Sequence, residues 1–322
     1  MVAPLASVIV PTLNGAHLLS ECLDSLMRQS YAEMEVIVAD GASTDGTASM
    51  LARAYPSVRV LHLRRNAGFS GNVNAGMRAA RGEVVCLLNN DAQAEPDWVA
   101  VCVEALGRQP AIGSVASKVL FSDRRTINSA GDSFGRDGAA RQRGAGQPDG
   151  EAWNKPGPVF GAMGGAAAYR RTMLADTGLL DEAFFMYLED VDLAFRAQLL
   201  GWGCHYEPLA RVYHVGSATG GGTLASFYNG RNLIRLLAKN LPSRLVPRML
   251  PHILRYQAQR AAEALGAWRG AAARATLRGQ LSGLAGLPRH LADRPPIQRR
   301  RRVSDESLYA MLSPSPRPGA SW

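Results

Sequence analysis

The sequence predicts an α/β fold in which a mostly parallel sheet is covered by helices on both faces. Short apolar, β-branched segments alternate with segments whose apolar residues recur at helical spacing through the first third of the chain. The strand-like segments are apolar along their whole length, as in strands buried on both faces of a parallel sheet. The sequence contains no run of about 18 consecutive apolar residues, so we predict no membrane-spanning helix.

The predicted elements alternate in order from the N-terminus. The strands are expected at 7–11, 35–40, 58–63 and 84–89. The helices are expected at 18–27, 47–55 and 70–80, with a further helix beginning at Pro96, where a missing N–H is tolerated.

The second half of this region is less regular. Residues 122–158 are rich in Gly, Arg and Asp and are predicted as a long loop with hairpin pieces, which at that length is usually functional. After it we predict a strand from Ala166 to about Arg171, a helix over 189–200, and strands over 202–207 and 211–215.

The last third of the chain differs in charge. Residues 224–322 hold 17 Lys and Arg against 4 Asp and Glu, a net charge of +13, whereas residues 1–223 hold 19 against 23, a net charge of −4. The apolar spacing predicts a basic helix over 224–240 and amphipathic helices over 243–292. Residues 295–302 (PPIQRRRR) are predicted as a flexible linker, and 314–319 (PSPRPG) as disordered.

We therefore predict an α/β domain over residues 1–223, a basic amphipathic helical region over 224–294 and a flexible tail over 295–322. The basic region indicates an anionic surface as its partner. The alternative is a solvated helical face that packs on the rest of the chain.

The composition excludes several classes of protein. With 47% hydrophobic and 20% charged residues, the chain is neither disordered, collagen-like nor a disulfide scaffold. The 4 cysteines form no C-x-x-C pair, which disfavours a zinc ribbon or a redox dithiol and suits a reducing compartment. No G-x-G-x-x-G follows the first strand and no G-K-[ST] phosphate loop is present, so neither a dinucleotide site nor a P-loop is predicted.

Two carboxylates follow strands of the predicted sheet. Asp40 ends the second strand and Asp91 comes shortly after the fourth. Because ligands bind at the carboxyl ends of the strands in an open parallel sheet, we expect both at one edge. Asp40 suits a hydrogen bond from a nucleobase or a ribose hydroxyl, whereas the nearby Asp45 fits better as a turn or capping residue.

Asn89-x-Asp91 is a variant of the D-x-D metal site. Hard divalent cations take oxygen ligands, here the Asp91 carboxylate and the Asn89 carbonyl, together with substrate phosphates. The alternative is an ordinary turn before Pro96. His214 ends an apolar strand, where a lone histidine is more often a core or edge residue; if it joined the metal shell, its nitrogen would favour Mn²⁺.

Glu189, Asp190 and Asp192 form the densest carboxylate cluster, and they begin a predicted helix. Negative charge is favourable at a helix N-terminus, which is a sufficient account of Glu189 or Asp192. Three acids next to a run of aromatic residues exceed what capping requires, so one of them is predicted to be a general base.

Segments in a fixed order carry a resemblance to a known family. They are SVIVPTLNG (7–15), EVIVADGASTDGT (35–47), RNAGFSGNVNAGMRAARGEVVCLLNNDA (65–92), INSAG (127–131), GAAAYRR (165–171), GLLDEAFFMYLEDVDLAFRAQLLGW (178–202), RVYHVG (211–216) and YNGRNLIRLLAKNLP (228–242). In this order the chain resembles the inverting glycosyltransferases of family 2, which have the GT-A fold with its Rossmann-like sheet. It is most similar to rhamnosyltransferase-like bacterial members that act in cell-envelope polysaccharide synthesis.

The resemblance implies a role for each candidate residue. Asp190, the second residue of the family's E-D motif, would be the catalytic base. Asp91 would bind the divalent cation, Mn²⁺ or Mg²⁺, that bridges the donor diphosphate, and His214 would contribute to that site. The donor-contacting positions would be Pro11, Asp40, Asn72, Asn74, Asn89 and Asn90, and the acceptor-side positions Glu189 and Trp202.

The resemblance also implies a reaction and a location. The donor would be a nucleotide-sugar, with dTDP-rhamnose the best match, and the acceptor a hydroxyl of a cell-envelope glycan or a polyprenyl-linked lipid. We expect a cytoplasmic protein, peripheral on the inner face of the cytoplasmic membrane through its basic helices. A nucleic-acid partner is not expected, because aromatic residues are sparse in the basic region.

The sequence departs from the family pattern in two places. Asn89 replaces an acid of D-x-D, which leaves one fewer charge on the metal. The Q-x-x-R-W motif is missing, which argues against a processive synthase. Two alternatives therefore stay open: a nucleotidyltransferase on a related sheet, and an inactive membrane-associated scaffold of this fold.

Overall fold

The computed structural model describes residues 3–216 and 222–314, and the chain divides into two units. The first comprises Met1–Asp132, Gln142–Ala197 and Trp202–Thr219; the second comprises Ser133–Arg141, Gln198–Gly201 and Gly220–Trp322. The predicted end of the α/β domain at residue 223 stays a prediction. The two short segments that the second unit takes from the middle of the chain have no signal in the sequence.

The first half of the chain alternates strands and helices. The strands are β1 (Ala6–Thr12), β2 (Met34–Asp40), β3 (Arg59–His62), β4 (Val84–Leu88), β5 (Ala92–Ala94), β6 (Ile112–Phe121), β7 (Ile127–Ala130), β8 (Asp132–Phe134), β9 (Ala140–Gln142), β10 (Gly157–Val159), β11 (Ala166–Arg170) and β12 (Gly203–His214). The helices are α1 (Ala16–Met27), α2 (Thr47–Ala54), α3 (Gly68–Ala79), α4 (Trp98–Gly107), α5 (Arg171–Thr177) and α6 (Glu189–Leu199).

One large sheet organises the first unit. Its strand order is β10-β12-β6-β11-β4-β1-β2-β3, with β5 on β12 and β7 on β6, while β8 and β9 pair separately. β1 is parallel to β2 and β4, β2 to β3, and β12 to β6. β11 runs antiparallel between β4 and β6, so β6 and β12 point the same way as β4. The prediction of a mostly parallel sheet is confirmed.

This topology creates one edge at which functional residues can gather. The strands β1, β2, β4, β6 and β12 all end at the same side of the sheet, and β11 begins there. We call this side the carboxyl edge; the strand-ending residues that define it are Thr12, Asp40, Leu88, Phe121 and His214.

The sheet is covered on both faces, as the apolar strands predict. Val8 and Val10 of β1 belong to a buried cluster that includes Trp98 of α4, and residues of α1 and α2 join the same cluster. Ile9, between them in sequence, belongs to the opposite cluster with Val73 of α3, and α5 and α6 contribute to it. This alternation follows from the two-residue period of a strand.

The structure refines two predictions in this region. Residues 203–214 form one strand, where two were predicted, because β12 shifts register against β6 between Glu207 and Arg211 without leaving the sheet. Residues 122–158 contain the short strands β7 to β10 among turns, in agreement with a long loop that has hairpin pieces.

The second unit is helical. Its helices are α7 (Gly222–Asn240), α8 (Val246–Gly266), α9 (Ala271–Ala285), α10 (Leu287–Ala292), α11 (Arg294–Arg299) and α12 (Asp305–Met311). Glycines let α7 and α9 approach closely: a Cβ on Gly279 would lie 2.2 Å from the carbonyl oxygen of Phe227, and one on Gly230 would lie 2.8 Å from that of Thr276. None of the helices in the described ranges is long and apolar enough to span a bilayer.

The end of the chain differs from the predicted flexible tail. Residues 295–299, expected in a linker, lie in α11, and α12 follows after a short turn. Leu308 and Leu312 are buried, and the Ser313 N–H donates to the Phe134 carbonyl, so apolar burial and a backbone hydrogen bond order this segment. Of the stretch 314–319 predicted to be disordered, residues 315–319 lie outside the described residues.

Candidate active site

Contacts along the carboxyl edge join the end of β4 to the ends of β1 and β2. Asn90 follows β4, and its Nδ2 donates to Thr12 Oγ1 at 3.0 Å. Thr12 is in turn the register partner of Asp40 at the end of β2. The two predicted donor residues Asn90 and Asp40 therefore lie on either side of the end of β1.

On its other side, the end of β4 contacts the segment that leads into β11. The Asn89 N–H donates to the Gly165 carbonyl at 2.9 Å. The N–H of the adjacent Gly164 donates to Asp190 Oδ2 at 2.8 Å. Gly164, which contacts the candidate base Asp190, is adjacent to Gly165, which contacts Asn89. The candidate base is therefore close to the N-x-D motif, although about a hundred residues separate Asp190 from Asn89 in sequence.

Asp40 is buried and already has partners. Its Oδ1 accepts from the Ser43 N–H at 3.0 Å, and its Oδ2 lies 3.2 Å from Nδ1 of His62, a largely exposed side chain. Asp45, which the sequence assigned to capping, accepts from the N–H of Ala16 at the start of α1 and from Thr47 at the start of α2. Hydrogen bonding from Thr47 lowers the pKa of Asp45.

Asp91 and His214 meet at the end of β12. Asp91 Oδ1 lies 3.1 Å from His214 Nε2, and both side chains are buried. His214 Nδ1 lies 2.9 Å from Asn128 Oδ1, an amide oxygen that can accept a hydrogen bond from this ring nitrogen. His214 Nε2 faces the Asp91 carboxylate oxygen, so these two atoms form a candidate pair of ligands for a cation.

Asn89 supplies a second indication of a cation. Its Nδ2 is 3.4 Å from His214 Nε2, and within the described ranges its buried Oδ1 has no hydrogen-bond partner. A carboxylate, an amide oxygen and an imidazole nitrogen form a donor set that suits Mn²⁺, or Mg²⁺ with the oxygens alone. The described residues contain no cluster of three His, Cys, Asp or Glu for a metal, so substrate oxygens would have to complete the shell.

A pocket of about 70 Å³ opens beside this group. Asp91 and His214 form part of its wall, together with Glu21, Arg124 and Tyr213. This volume holds a few water molecules and is far below the 300–1,000 Å³ or so of a typical ligand pocket. The pocket can therefore admit the hydration shell of an ion but not a nucleotide-sugar.

Asp190 is held at the N-terminus of α6. Its Oδ1 accepts from the Val191 N–H at 2.8 Å, and its Oδ2 from Gly164. Burial raises the pKa of Asp190, and these backbone hydrogen bonds, which favour the carboxylate, offset part of the rise. A carboxylate with raised proton affinity in a fixed position has the properties of a general base.

Three buried polar side chains lie near Asp190, and the sequence did not predict all of them. Glu189 Oε2, Asp132 Oδ1 and the Tyr169 hydroxyl are buried and have no hydrogen-bond partner within residues 3–216 and 222–314. Burial, followed by the charge of Asp190, raises the pKa of Glu189 and of Asp132 well above the usual range. Asp132 comes directly after the INSAG segment, which was the available signal.

The loop before α6 is strained. Phe185, Tyr187 and Leu188 have φ values of 65°, 66° and 68°, a region that non-glycine residues rarely adopt. Gly68, at φ 74°, allows the close approach of this loop, because a Cβ there would lie 2.4 Å from the Phe185 carbonyl oxygen. That oxygen accepts from the Ser70 N–H, so α3 holds the loop that leads into the E-D motif.

Asp192 has a structural role, as the helix-charge alternative allowed. It is fully buried and accepts from Arg196 Nε at 2.9 Å. Arg196 donates to the carbonyls of Thr177 and Leu179, which fixes the turn after α5.

Asn72 and Asn74, both predicted to contact the sugar donor, differ in their hydrogen-bond partners. Asn72 Oδ1 accepts from the Ala67 N–H at 3.3 Å, and its Nδ2 packs where a Cβ on Gly41 would be, beside Asp40. Asn74 is saturated by other partners: it accepts from the Leu180 N–H and donates to the Leu180 carbonyl and to Glu182. Asn74 therefore anchors the segment after α5 rather than presenting its amide to a donor.

Trp202 does not lie at the site, contrary to its expected acceptor-side position. It directly precedes β12, whose far end is His214, so the two ends are about 30 Å apart. Its Nε1 donates to Asp176 at 2.8 Å, a contact that stabilises the opposite edge of the sheet. Pro11, by contrast, is near the carboxyl edge, where its missing N–H costs nothing because the β1–β4 ladder ends at Ile9.

The fold and the carboxyl edge define a GT-A glycosyltransferase. A family model described as "Glycosyl transferase family 2" matches residues 7–178, more than half of the chain. The chain therefore belongs to glycosyltransferase family 2, and it is a glycosyltransferase. This finding decides against the nucleotidyltransferase alternative.

Similar proteins agree with this assignment. The N-acetylglucosaminyl-diphospho-decaprenol L-rhamnosyltransferase of Mycobacterium tuberculosis is 30% identical over 231 residues, which cover 64% of this chain and 75% of that protein. Uncharacterized protein y4gI of Sinorhizobium fredii is 29% identical over 230 residues, 68% of this chain but only 25% of the relative.

Solved structures support the fold. A mannosyltransferase from Pyrobaculum calidifontis, in complex with GDP-Man and Mn²⁺, has a TM-score of 0.56 at 21% identity, over 97% of this chain and 84% of that one. GalNAc-T7 with UDP, GalNAc and Mn²⁺ has a TM-score of 0.58 at 16% identity, over 73% and 47% of the two chains.

Proposed function

We propose that this enzyme transfers a sugar from a nucleotide-sugar to an acceptor hydroxyl in one displacement that inverts the anomeric centre. The observation that carries the proposal is the hydrogen bond from Gly164 to Asp190, next to the contact between Gly165 and Asn89. These contacts support the proposal because they connect Asp190, through the adjacent Gly164 and Gly165, to Asn89. Leaving-group stabilisation and proton removal are then available at neighbouring positions of one edge.

Asp190 acts as the base in this proposal. The acceptor hydroxyl attacks the anomeric carbon as the nucleoside diphosphate leaves from the opposite side, and its proton passes to an Asp190 oxygen. A positioned base contributes about 10²- to 10⁴-fold to such a rate. One base suffices, because the diphosphate leaves without being protonated, unlike the leaving group of a glycosidase, which needs an acid as well.

Asp91 and His214 would hold a divalent cation, Mn²⁺ or Mg²⁺, with Asn89 beside them. When bound, such a cation stabilises the negative charge that develops on the leaving diphosphate. A hydrogen bond from His214 Nδ1 to Asn128 would leave Nε2 available to the cation. Chelation with EDTA is expected to abolish transfer and added Mn²⁺ or Mg²⁺ to restore it; full activity in the chelator would remove the metal role of Asp91.

The donor is proposed to be dTDP-rhamnose, and the support is the similarity to the mycobacterial rhamnosyltransferase. Pro11, Asp40 and Asn72 would hold the nucleoside at the ends of β1 and β2, with Asn90 fixing the geometry. A thermal-shift screen of nucleotide-sugars with Mn²⁺ tests this, since a bound donor stabilises the fold by mass action. Stabilisation by another nucleotide-sugar alone would replace the proposed donor.

The acceptor is proposed to be a hydroxyl of a cell-envelope glycan or a polyprenyl-linked lipid, reached from the cytoplasmic side. Such an acceptor lies in a membrane, and the net charge of +13 on residues 224–322 would hold the enzyme on anionic lipid there. Release of free sugar from the donor in vitro would distinguish an active enzyme from an inactive scaffold of the same fold.

A further inference from the structure

Helix α8 has an exposed apolar side that is distinct from its buried side. Met249, Ile253 and Ala264 face the interior of the second unit. Leu250, Leu254 and Leu265 are 42%, 59% and 60% exposed. At 100° per residue these three leucines fall within an arc of about 60°, whose centre is roughly 100° from the centre of the buried side.

Small and apolar residues complete the same side. Pro247 and Ala258 are exposed and lie at the edge of this arc or within about 20° of it. Trp268, 59% exposed, follows in the turn after the helix. The backbone of that turn is fixed, because Arg274 donates to the carbonyls of Trp268 and Arg269. We call this surface the α8 apolar face; its residues are Pro247, Leu250, Leu254, Ala258, Leu265 and Trp268.

Basic residues border the α8 apolar face. Arg255 lies on the adjacent polar side of α8 and Arg269 follows Trp268, whereas Arg248, on the same side of the helix, stacks on the Tyr309 ring. An apolar stripe along a helix, flanked by arginines and ending in an exposed tryptophan, is the composition of helices that lie in the plane of a membrane interface. Arginine stems extend toward headgroups while the tryptophan ring occupies the boundary between headgroups and acyl chains.

Charge decides which partner the face fits. A second copy of this chain would bring another +13 region against the first and would be repelled. A bilayer that contains acidic lipid offers both apolar depth and negative charge.

We propose that the α8 apolar face inserts into the interfacial layer of an anionic membrane, with Trp268 at one end. This inference rests on the proposed membrane attachment and extends it, because it assigns part of the binding to apolar insertion rather than to charge alone. The proposed partner of the α8 apolar face is therefore a lipid surface.

Co-sedimentation of the full chain with vesicles tests the proposal. Vesicles of phosphatidylglycerol and phosphatidylcholine in equal parts are expected to bind the chain, and pure phosphatidylcholine vesicles to bind it much more weakly. The double variant Leu254→Ser/Leu265→Ser is expected to bind about a hundredfold more weakly, because each of the two buried leucines contributes roughly one factor of ten. Trp268→Ala, outside the helix, is expected to weaken binding in the same direction.

Leu209→Ser is the matched control, since Leu209 is 64% exposed in the first unit. It is expected to leave vesicle binding unchanged. Equal binding of the double variant and the unaltered chain would overturn the proposal, as would a dimer in vesicle-free solution that the double variant dissociates. Transfer to a water-soluble acceptor is expected to persist in the double variant, so a failure of membrane insertion and a failure of the proposed enzymatic function give different results.

Discussion

At the scale of single residues, the chemistry of the site depends on buried carboxyl groups. Burial raises the pKa values of Asp132, Glu189 and Asp190, and the charge of Asp190 adds to the rise for Asp132 and Glu189. Such groups oppose folding as they ionise: they stabilise the fold most below the unfolded-state pKa of about 4, and that stability is lost as the pH rises through the folded-state pKa. Activity therefore requires an ionised carboxylate at a site where ionisation lowers the stability of the fold.

Asp132 gives a direct test of this cost. Asp132→Asn removes an ionisable group whose Oδ1 has no hydrogen-bond partner within the described part of the chain. We expect the variant to melt at a higher temperature than the unaltered chain near pH 8 and to lose this advantage near pH 4. Thermal unfolding followed by circular dichroism across that range is the measurement.

Asp123→Asn is the control, because the opposite dependence of stability on pH is expected for it. Hydrogen bonds from Thr126 and Arg125 lower the pKa of Asp123 on the surface, so its stabilising effect is present above the unfolded-state pKa and lost in acid. If Asp132→Asn lowered the melting temperature at pH 8, Asp132 would be a structural carboxylate instead.

Asn128 is predicted to act through His214. Asn128→Ala removes the acceptor for His214 Nδ1, so the ring loses its fixed tautomer and orientation. The Mn²⁺ concentration for half-maximal transfer is expected to rise about 10- to 100-fold, with a smaller effect on the rate at saturating Mn²⁺. Asn229→Ala, which loses only a bond within α7, should leave the Mn²⁺ requirement unchanged. An unaltered requirement in Asn128→Ala would refute the positioning role.

At the scale of elements, the loop that enters α6 depends on a glycine in another helix. Gly68→Ala places a Cβ against Phe185 and imposes an unfavourable φ, so we expect a loss of about 1–3 kcal/mol in the free energy of unfolding and weaker transfer. Gly107→Ala provides the comparison, because within the described residues nothing lies within 4 Å of its new Cβ. Denaturant titration of both variants measures the difference; equal stabilities would show that the loop adapts at no cost.

The sequence predicts those elements whose signal is local. The apolar segments of β1, β2 and β4 and the helical spacing between them were sufficient for the parallel sheet and for the placement of Asp40 and Asp91 at its edge. β12 appeared as two strands because a register shift is a property of its pairing with β6, which no single segment encodes.

Residue roles that depend on distant contacts were harder to predict. Asn74 and Trp202 are polar or aromatic residues within matching segments, but their partners Leu180 and Asp176 lie elsewhere in the chain. Asp132 was missed although it directly follows the INSAG segment, because only folding brings it near Asp190. The tail from residue 295 looked flexible by composition, yet buried Leu308 belongs to an ordered helix.

At the scale of the whole molecule, the two regions of opposite net charge are proposed to have different functions. The mildly acidic first 223 residues carry every candidate group for sugar transfer, and the basic remainder carries the surfaces proposed to meet a membrane. Substitutions in one region should therefore leave the function of the other intact.

The most direct test of the whole account is to measure transfer and donor binding together in Asp190→Asn. Asparagine keeps the size of the side chain and cannot accept the proton, so transfer is expected to fall about 10²- to 10⁴-fold while donor and Mn²⁺ still stabilise the protein in a thermal-shift assay. Asp97→Asn, an exposed position, is the control and should transfer normally. Transfer by Asp190→Asn close to the rate of the unaltered chain would contradict the account.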